Sequence, residues 1–264
     1  MNLEKLTEEV IELAKQVGGF IREEAQKFNS ESIEYKGYNN LVSYVDKTAE
    51  EKIVARLSEL LSEAGFITEE ETINKTGEVY NWIVDPLDGT TNFIHGLPIF
   101  SVSIALEQNK QLVLGVVYEI NMDECFYAWK DGGAYVNGKP IKVTKNTELN
   151  QTLLATGFPY YNFEKEAQYL NIVREFMMHS HGIRRMGSAA VDMAYVACGR
   201  FDGYFEYNIN LYDIAAGVVI VREAGGTAVN FSGEDEFFVS REVIASNGLV
   251  GEAMKEVIQK HFYS

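Results

Sequence analysis

Two aspartates stand three positions apart in the stretch NWIVDPLDGTTNFIHGLP, residues 81–98, separated by a proline and a leucine. A buried strand ending in WIV would deliver Asp85 to a sheet edge. Pro86 cannot continue a ladder and would fix a turn, and Asp88-Gly89 would turn the chain again. The TTNF that follows begins a helical turn whose unpaired N–H groups point back toward both carboxylates. Carboxylates this close repel one another unless they share protons or cations. A divalent cation resolves the conflict, and hard oxygen ligands favour magnesium over zinc. N–H groups beside such a cation would suit a phosphate. The plainer alternative is an ordinary Asp-Gly turn with Asp85 as a helix cap.

Two other acidic features bear on that choice. FITEEET sets Glu69 and Glu70 after a short predicted strand, and LYDIAAG sets Asp213 at the start of an apolar helix. Taken alone, Asp213 is most simply an N-cap and Glu69 a solvated charge. GAYVNGKP (133–140) nearly matches a nucleotide-binding P-loop, but Pro140 stands where a hydroxyl would bind magnesium, and Asn137-Gly138 between apolar segments reads as a hairpin turn. There is no G-x-S-x-G, and His95, His179, His181 and His261 have no metal-ligand spacing. The HSH around His179 reads as a solvated loop beside a helix end.

The elements that must position these residues follow from periodicity. Leu3, Leu6, Val10, Leu13, Val17, Ile21 and Phe28 predict a long amphipathic helix over 3–28. A second helix is expected after Asp46, with Ala49, Ile53, Leu57, Leu60 and Ala64 on one face, and the segment between them reads as a loop or hairpin. From Pro98 the short segments IFSVSIALE, LVLGVVYEI and CFYAW, parted by DGG and NGK, predict antiparallel strands. Beyond residue 160 helices and strands alternate. The fold class is mixed α/β in one layered unit over 1–264, with approximate subregions 1–150 and 151–264 and no flexible linker between them.

Composition narrows the function. With 23 basic and 39 acidic residues the net charge is −16, which repels a nucleic-acid backbone or an anionic membrane. An anionic substrate therefore needs local positive charge, from a basic pocket or from bound cations. No apolar run approaches the roughly 20 residues that span a bilayer, and the N-terminal residues are charged throughout, so a cytoplasmic protein is expected. Cys125 and Cys198 lie in apolar contexts and read as buried, reduced thiols.

In combination, YVDKTAEEKI, FITEE, VDPLDGTTNFIHGLP, RRMGSAAVDMAYVACGRFDGYFE and YDIAAGVVIVREAGG resemble the inositol monophosphatase family of lithium-sensitive, magnesium-dependent phosphatases over nearly the whole chain. The resemblance implies an α-β-α-β-α layered sandwich, a homodimer, and two to three Mg2+ per active site. By position, it makes Glu69, Asp85, Asp88 and Asp213 metal ligands together with the Leu87 carbonyl, Asp85 bridging two ions. Asp46 matches the acidic residue that holds water and pairs with Thr90. The N–H groups of Gly89, Thr90 and Thr91 match phosphate contacts, and Glu206 matches the acceptor of substrate hydroxyls. Water near Glu69 and Thr90 would then attack the phosphorus directly. Tyr212 stands where the family usually has tryptophan, Thr68 where glycine is common, and Asn40 and Ser43 where aspartate and threonine are frequent. Other substrates on the same metal site are fructose 1,6-bisphosphate, NADP(H) and a 3′-phosphoadenosine nucleotide. The last is disfavoured by Thr91, where such relatives carry lysine. The bisphosphate would need a basic contact such as Lys36, Arg184 or Arg185. A non-catalytic interaction protein ranks last, since every expected ligand is present.

Overall fold

The computed structural model describes residues 1–27, 33–37, 40–159 and 163–263. Helix α1 (Leu3–Ala25) buries Leu6, Val10, Leu13, Val17 and Ile21, the stripe read from the sequence. Phe28, the last position of that stripe, lies outside the described residues. A hairpin of β1 (Ile33–Gly37) and β2 (Asn40–Ser43) leads into α2 (Tyr44–Leu60). This helix starts ahead of Asp46, not after it. Ser43 is the N-cap, its hydroxyl accepting from the Val45 N–H at 3.1 Å, and Asp46 accepts from the Ser43 N–H at 2.9 Å. The pair closes a capping box, with Asp46 in the third helical position.

Seven strands then form one sheet in chain order: β3 (Gly65–Thr68), β4 (Tyr80–Asp88), β5 (Ser101–Gln108), β6 (Gln111–Glu119), β7 (Glu124–Trp129), β8 (Gly133–Val136) and β9 (Lys139–Pro140). Only β3 and β4 run parallel; the rest is the expected antiparallel region. The NGK turn between β8 and β9 has positive φ at both Asn137 (48°) and Gly138 (80°), the hairpin geometry and no phosphate loop. Contrary to the sequence reading, β4 does not end at Asp85. Asp85 faces Ser103 and pairing resumes at Asp88 opposite Ser101, so one residue is extra on β4 and Pro86 sits within the bulge. The short helix α3 (Thr90–Ile94) follows directly.

The second half supplies β10 (Leu153–Thr156), α4 (Glu166–His179), β11 (Gly182–Arg184), α5 (Ala189–Ala197), β12 (Gly203–Tyr207), α6 (Leu211–Glu223), β13 (Thr227–Val229), α7 (Phe237–Ser240), β14 (Glu242–Ser246) and α8 (Gly251–Phe262). Its sheet has the order β11-β10-β12-β14-β13. Helices α1 and α2 pack on one face of the seven-stranded sheet, α5 and α6 lie between the two sheets, and α4 and α8 cover the outer face of the second. That stacking is the α-β-α-β-α sandwich. Strand alternation divides the cores: Trp82, Val84, Val102, Ile104, Leu106, Leu114 and Val116 pack toward α1 and α2, while Ile83, Ala105, Val117 and Ala128 pack toward α5 and α6. Sheet and helix approach closely there. A Cβ on Gly115 would stand 2.4 Å from the Ala216 carbonyl oxygen, and one on Gly217 would stand 2.6 Å from the Met193 Cβ.

Cys125 is buried and its thiol is pushed up to about 12 by that burial; Cys198 is only partly buried, and neither is paired. His179 ends α4 and His181 follows it, both exposed. No helix among the described residues is long and apolar enough to cross a membrane.

Candidate active site

One cleft gathers residues from both sheets and both central helices, and its acidic side is built by three elements. The bulged end of β4 carries Asp85, 1% exposed, and Asp88, 8% exposed. The first turn of α6 carries Asp213. Here the N-cap is Asn210 rather than Asp213, which is the third helical residue and accepts from the Asn210 N–H at 2.8 Å. Carboxylate oxygens of Asp85, Asp88 and Asp213 all lie within 4.8 Å of one another. Glu69, the first residue past β3, lines the same cleft. Its segment is pinned by buried Glu50 of α2, which accepts from the Glu70 N–H (2.7 Å), the Thr72 N–H (2.8 Å) and the Thr72 hydroxyl (2.7 Å).

Burial and mutual repulsion set the protonation of this cluster. Burial, then the charge of Asp213, holds the Glu69 carboxyl well above its ordinary range, and burial followed by the charge of Glu69 does the same to Asp85. Burial raises Asp88 to about 6, against hydrogen bonds from the Ser188 hydroxyl (2.6 Å) and the Ala190 N–H (2.7 Å). It raises Asp213 to about 8, with the charge of Asp88 adding to it. Four buried oxygen-only groups, of which Glu69, Asp85 and Asp213 are raised further by neighbouring carboxylates, are the donor set of a hard divalent cation, which would replace the shared protons.

Beside the cluster, Gly89 takes φ 100° as it caps α3, a conformation that suits glycine. Gly89, Thr90 and Thr91 line the cleft. The Thr90 hydroxyl lies 2.9 Å from Asp46 Oδ1 and 3.1 Å from the Leu87 carbonyl oxygen. Having a single proton, it favours the carboxylate. Asp46 is fully buried behind the cleft rather than lining it, and reaches it through Thr90; burial raises its carboxyl, opposed by the bonds from Ser43 and Thr90. Ser43, where the family often has threonine, thus serves as cap of α2 and as donor to Asp46, its hydroxyl 2.6 Å from Oδ2.

In the same cleft, Glu206 of β12 is 8% exposed, so it does not point into solvent. The Tyr204 hydroxyl donates to it, and burial, opposed by that bond, leaves it at about 7. Gly157 makes the room: a Cβ there would stand 2.0 Å from Glu206 Oε2.

Several lining residues escaped the sequence reading. Ser188, cap of α5 and partner of Asp88, carried a legible N-cap signal ahead of AAVDMAYVA. Asp192 stood out as the one charge in that apolar run. Asn208 and Gly157 carried no local signal. Arg185 lies exposed on the rim, Arg184 does not line the cleft, and the side chain of Lys36 falls outside what is described.

A layered sandwich with a buried acidic cluster at the edge of its central helices defines a class of proteins, and the comparisons narrow it. Residues 2–263 match the family model described as the inositol monophosphatase family. The chain is 36% identical over 252 residues to an inositol-1-monophosphatase of Mesorhizobium japonicum, with 95% of each covered. It is 38% identical over 261 residues to a fructose-1,6-bisphosphatase/inositol-1-monophosphatase of Aquifex aeolicus, covering 98% of this chain and 97% of that one. The crystal structure of the extragenic suppressor protein suhB of Bartonella henselae superposes with a TM-score of 0.91 at 36% identity, covering 97% of this chain and 99% of that one. The chain belongs to the inositol monophosphatase family.

Proposed function

We propose that this protein is a magnesium-dependent phosphate monoester hydrolase acting on inositol monophosphate or a related small phosphorylated polyol. The observation that carries the reading is the convergence of Asp85, Asp88 and Asp213 within 4.8 Å in a cleft that Glu69 also lines. Glu69, Asp85, Asp88, Asp213 and the Leu87 carbonyl would hold two to three Mg2+. When bound, magnesium supplies the positive charge that offsets phosphate repulsion, lowers the pKa of water and stabilises the leaving oxygen. The chain's own groups do the remaining work. The N–H groups of Gly89, Thr90 and Thr91 orient the phosphate. Thr90, its proton committed to Asp46, accepts a hydrogen bond from the attacking water, and Glu69 takes that water's proton. Water held beside Asp213 would return a proton to the leaving oxygen, and Glu206 would accept from a hydroxyl of the alcohol. No phosphoenzyme is needed. The working unit is residues 1–264 as a whole, since the cleft draws on both subregions, and a homodimer is the family expectation that sedimentation would test.

The deciding experiment is a phosphate-release screen with Mg2+ across inositol phosphates, sugar phosphates, NADP and phosphoadenosine nucleotides. The expected result is fastest release from an inositol monophosphate, lost on adding EDTA and inhibited by lithium. Undiminished turnover in excess EDTA would overturn the mechanism. A second reading, fructose-1,6-bisphosphatase, is favoured by Arg185 on the rim, the one candidate cation that lines the cleft among Lys36, Arg184 and Arg185 as far as they are described. If it holds, Arg185→Ala weakens bisphosphate hydrolysis far more than inositol phosphate hydrolysis.

A further inference from the structure

The cleft that holds the acidic cluster also holds two polar atoms that the fold leaves without a partner. Asp192 of α5 is 2% exposed and lines the cleft, and its buried Oδ1 has no hydrogen-bond partner. Asn208, the residue after β12, lines the same cleft, and its buried Nδ2 has none either. Buried polar atoms of folded proteins are nearly always paired, and exceptions in a cleft point to a ligand or ordered water that pairs them. Asn208 holds φ 58°, the left-handed region where asparagine is among the few tolerated side chains. Asp192 and Asn208 come from different elements, α5 and the β12–α6 connection, and Glu206, which acts electrostatically on Asp192, lines the cleft with them.

The chemistry of the pair is selective. Asp192 offers an acceptor and Asn208 a donor. A hydroxyl group both donates and accepts, so neighbouring hydroxyls can satisfy both. A phosphate dianion has only acceptors and could pair the Asn208 amide but not the acceptor that Asp192 offers, while an aromatic or alkyl group would leave both atoms unmet. We propose that Asp192 and Asn208 are specificity-determining residues that bind hydroxyls of the alcohol part of the substrate, Asp192 accepting and Asn208 donating. The inference rests on the phosphatase reading for where the phosphate sits, and it assigns a role to two residues that the family resemblance did not.

The test compares inositol 1-phosphate with p-nitrophenyl phosphate, which has no hydroxyls beside the ester, in wild type, Asp192→Ala, which removes the acceptor, and Asn208→Gly. Glycine keeps the positive φ and removes only the amide. The ratio of kcat/KM for the two substrates should fall about tenfold in each variant, mainly through KM for inositol 1-phosphate. A ratio within twofold of wild type in both variants overturns the proposal. Should a variant fail to fold, wild type with deoxygenated inositol phosphates decides: tenfold drops at two or more hydroxyl positions, beyond the one that Glu206 accepts from, support it, and a drop at one position or none overturns it. If wild type hydrolyses neither ester, the phosphatase reading fails on its own. Calorimetric affinities for inositol 1-phosphate and phenyl phosphate then judge this inference by the same tenfold criterion.

Discussion

Asp85 contacts Glu69 and Asp213 within the acidic cluster, and its local bond and its charge separate folding from chemistry. Its Oδ1 accepts from the Leu87 N–H at 2.9 Å, a local bond that an amide oxygen can also accept. Its charge, by contrast, is opposed by burial and by Glu69, Asp88 and Asp213. Asp85→Asn should therefore nearly abolish Mg2+-dependent turnover while the metal-free protein melts at or above the wild-type temperature. Parallel loss of activity and metal-free stability would count against the assignment. Glu206 tests the alcohol side. If it accepts from a substrate hydroxyl, Glu206→Gln should weaken kcat/KM for inositol 1-phosphate by about 1–3 kcal/mol, as for other charged hydrogen bonds, and lower it less for p-nitrophenyl phosphate. Equal losses on both would put Glu206 in the metal chemistry or the fold instead.

The helix α6 transmits packing into the site. Its first turn carries Asp213, and its middle lies against β6 so closely that only glycine fits at position 115. Gly115→Val would force the helix and sheet apart. Overpacking of this kind costs roughly 1–3 kcal/mol, read as a lower urea midpoint, and turnover should fall with it because the displaced helix carries Asp213 away from Asp85. A stable Gly115→Val protein with full activity would show that the helix tolerates the shift. The bulge at Pro86 works at the same scale. One extra residue on β4 re-aims the chain so that Asp85 and Asp88 both join the cluster.

Across the whole molecule, the acidic cluster couples stability to pH and to metal. Asp88 at about 6 and Asp213 at about 8 are both raised, so between the ordinary carboxylate value near 4 and pH 8 the metal-free folded state binds more protons than the unfolded chain. Their contribution is fully present below about pH 4 and is lost as pH rises through 6 and then 8. Metal-free protein should accordingly melt lower at pH 8 than at pH 5. On the proposed function magnesium displaces those protons, so its affinity should rise over the same interval, and at 100 times Kd it should add about 2.7 kcal/mol. Calorimetric melting at the two pH values, with and without Mg2+, checks both; a metal-free protein more stable at pH 8 would contradict the coupling.

Much of this was legible in the sequence because the signals were local. Periodicity marked α1 by its stripe, Asn137-Gly138 marked a hairpin by its chemistry, and DPLDGTTNF marked both an acidic turn and a family. Several boundaries shifted: Ser43 starts α2 early, Asn210 takes the cap expected of Asp213 and β5 keeps β4 paired past Pro86, each through a capping or pairing partner outside the motif itself, while α1 stops at Ala25, short of the expected residue 28, and α2 stops at Leu60, short of Ala64. Only the tertiary structure brings Asp192 and Asn208 into one cleft, buries Asp46 behind Thr90, and clears space for Glu206 with Gly157. Those relations join residues distant along the chain through packing and desolvation, and neither leaves a mark on local composition or spacing.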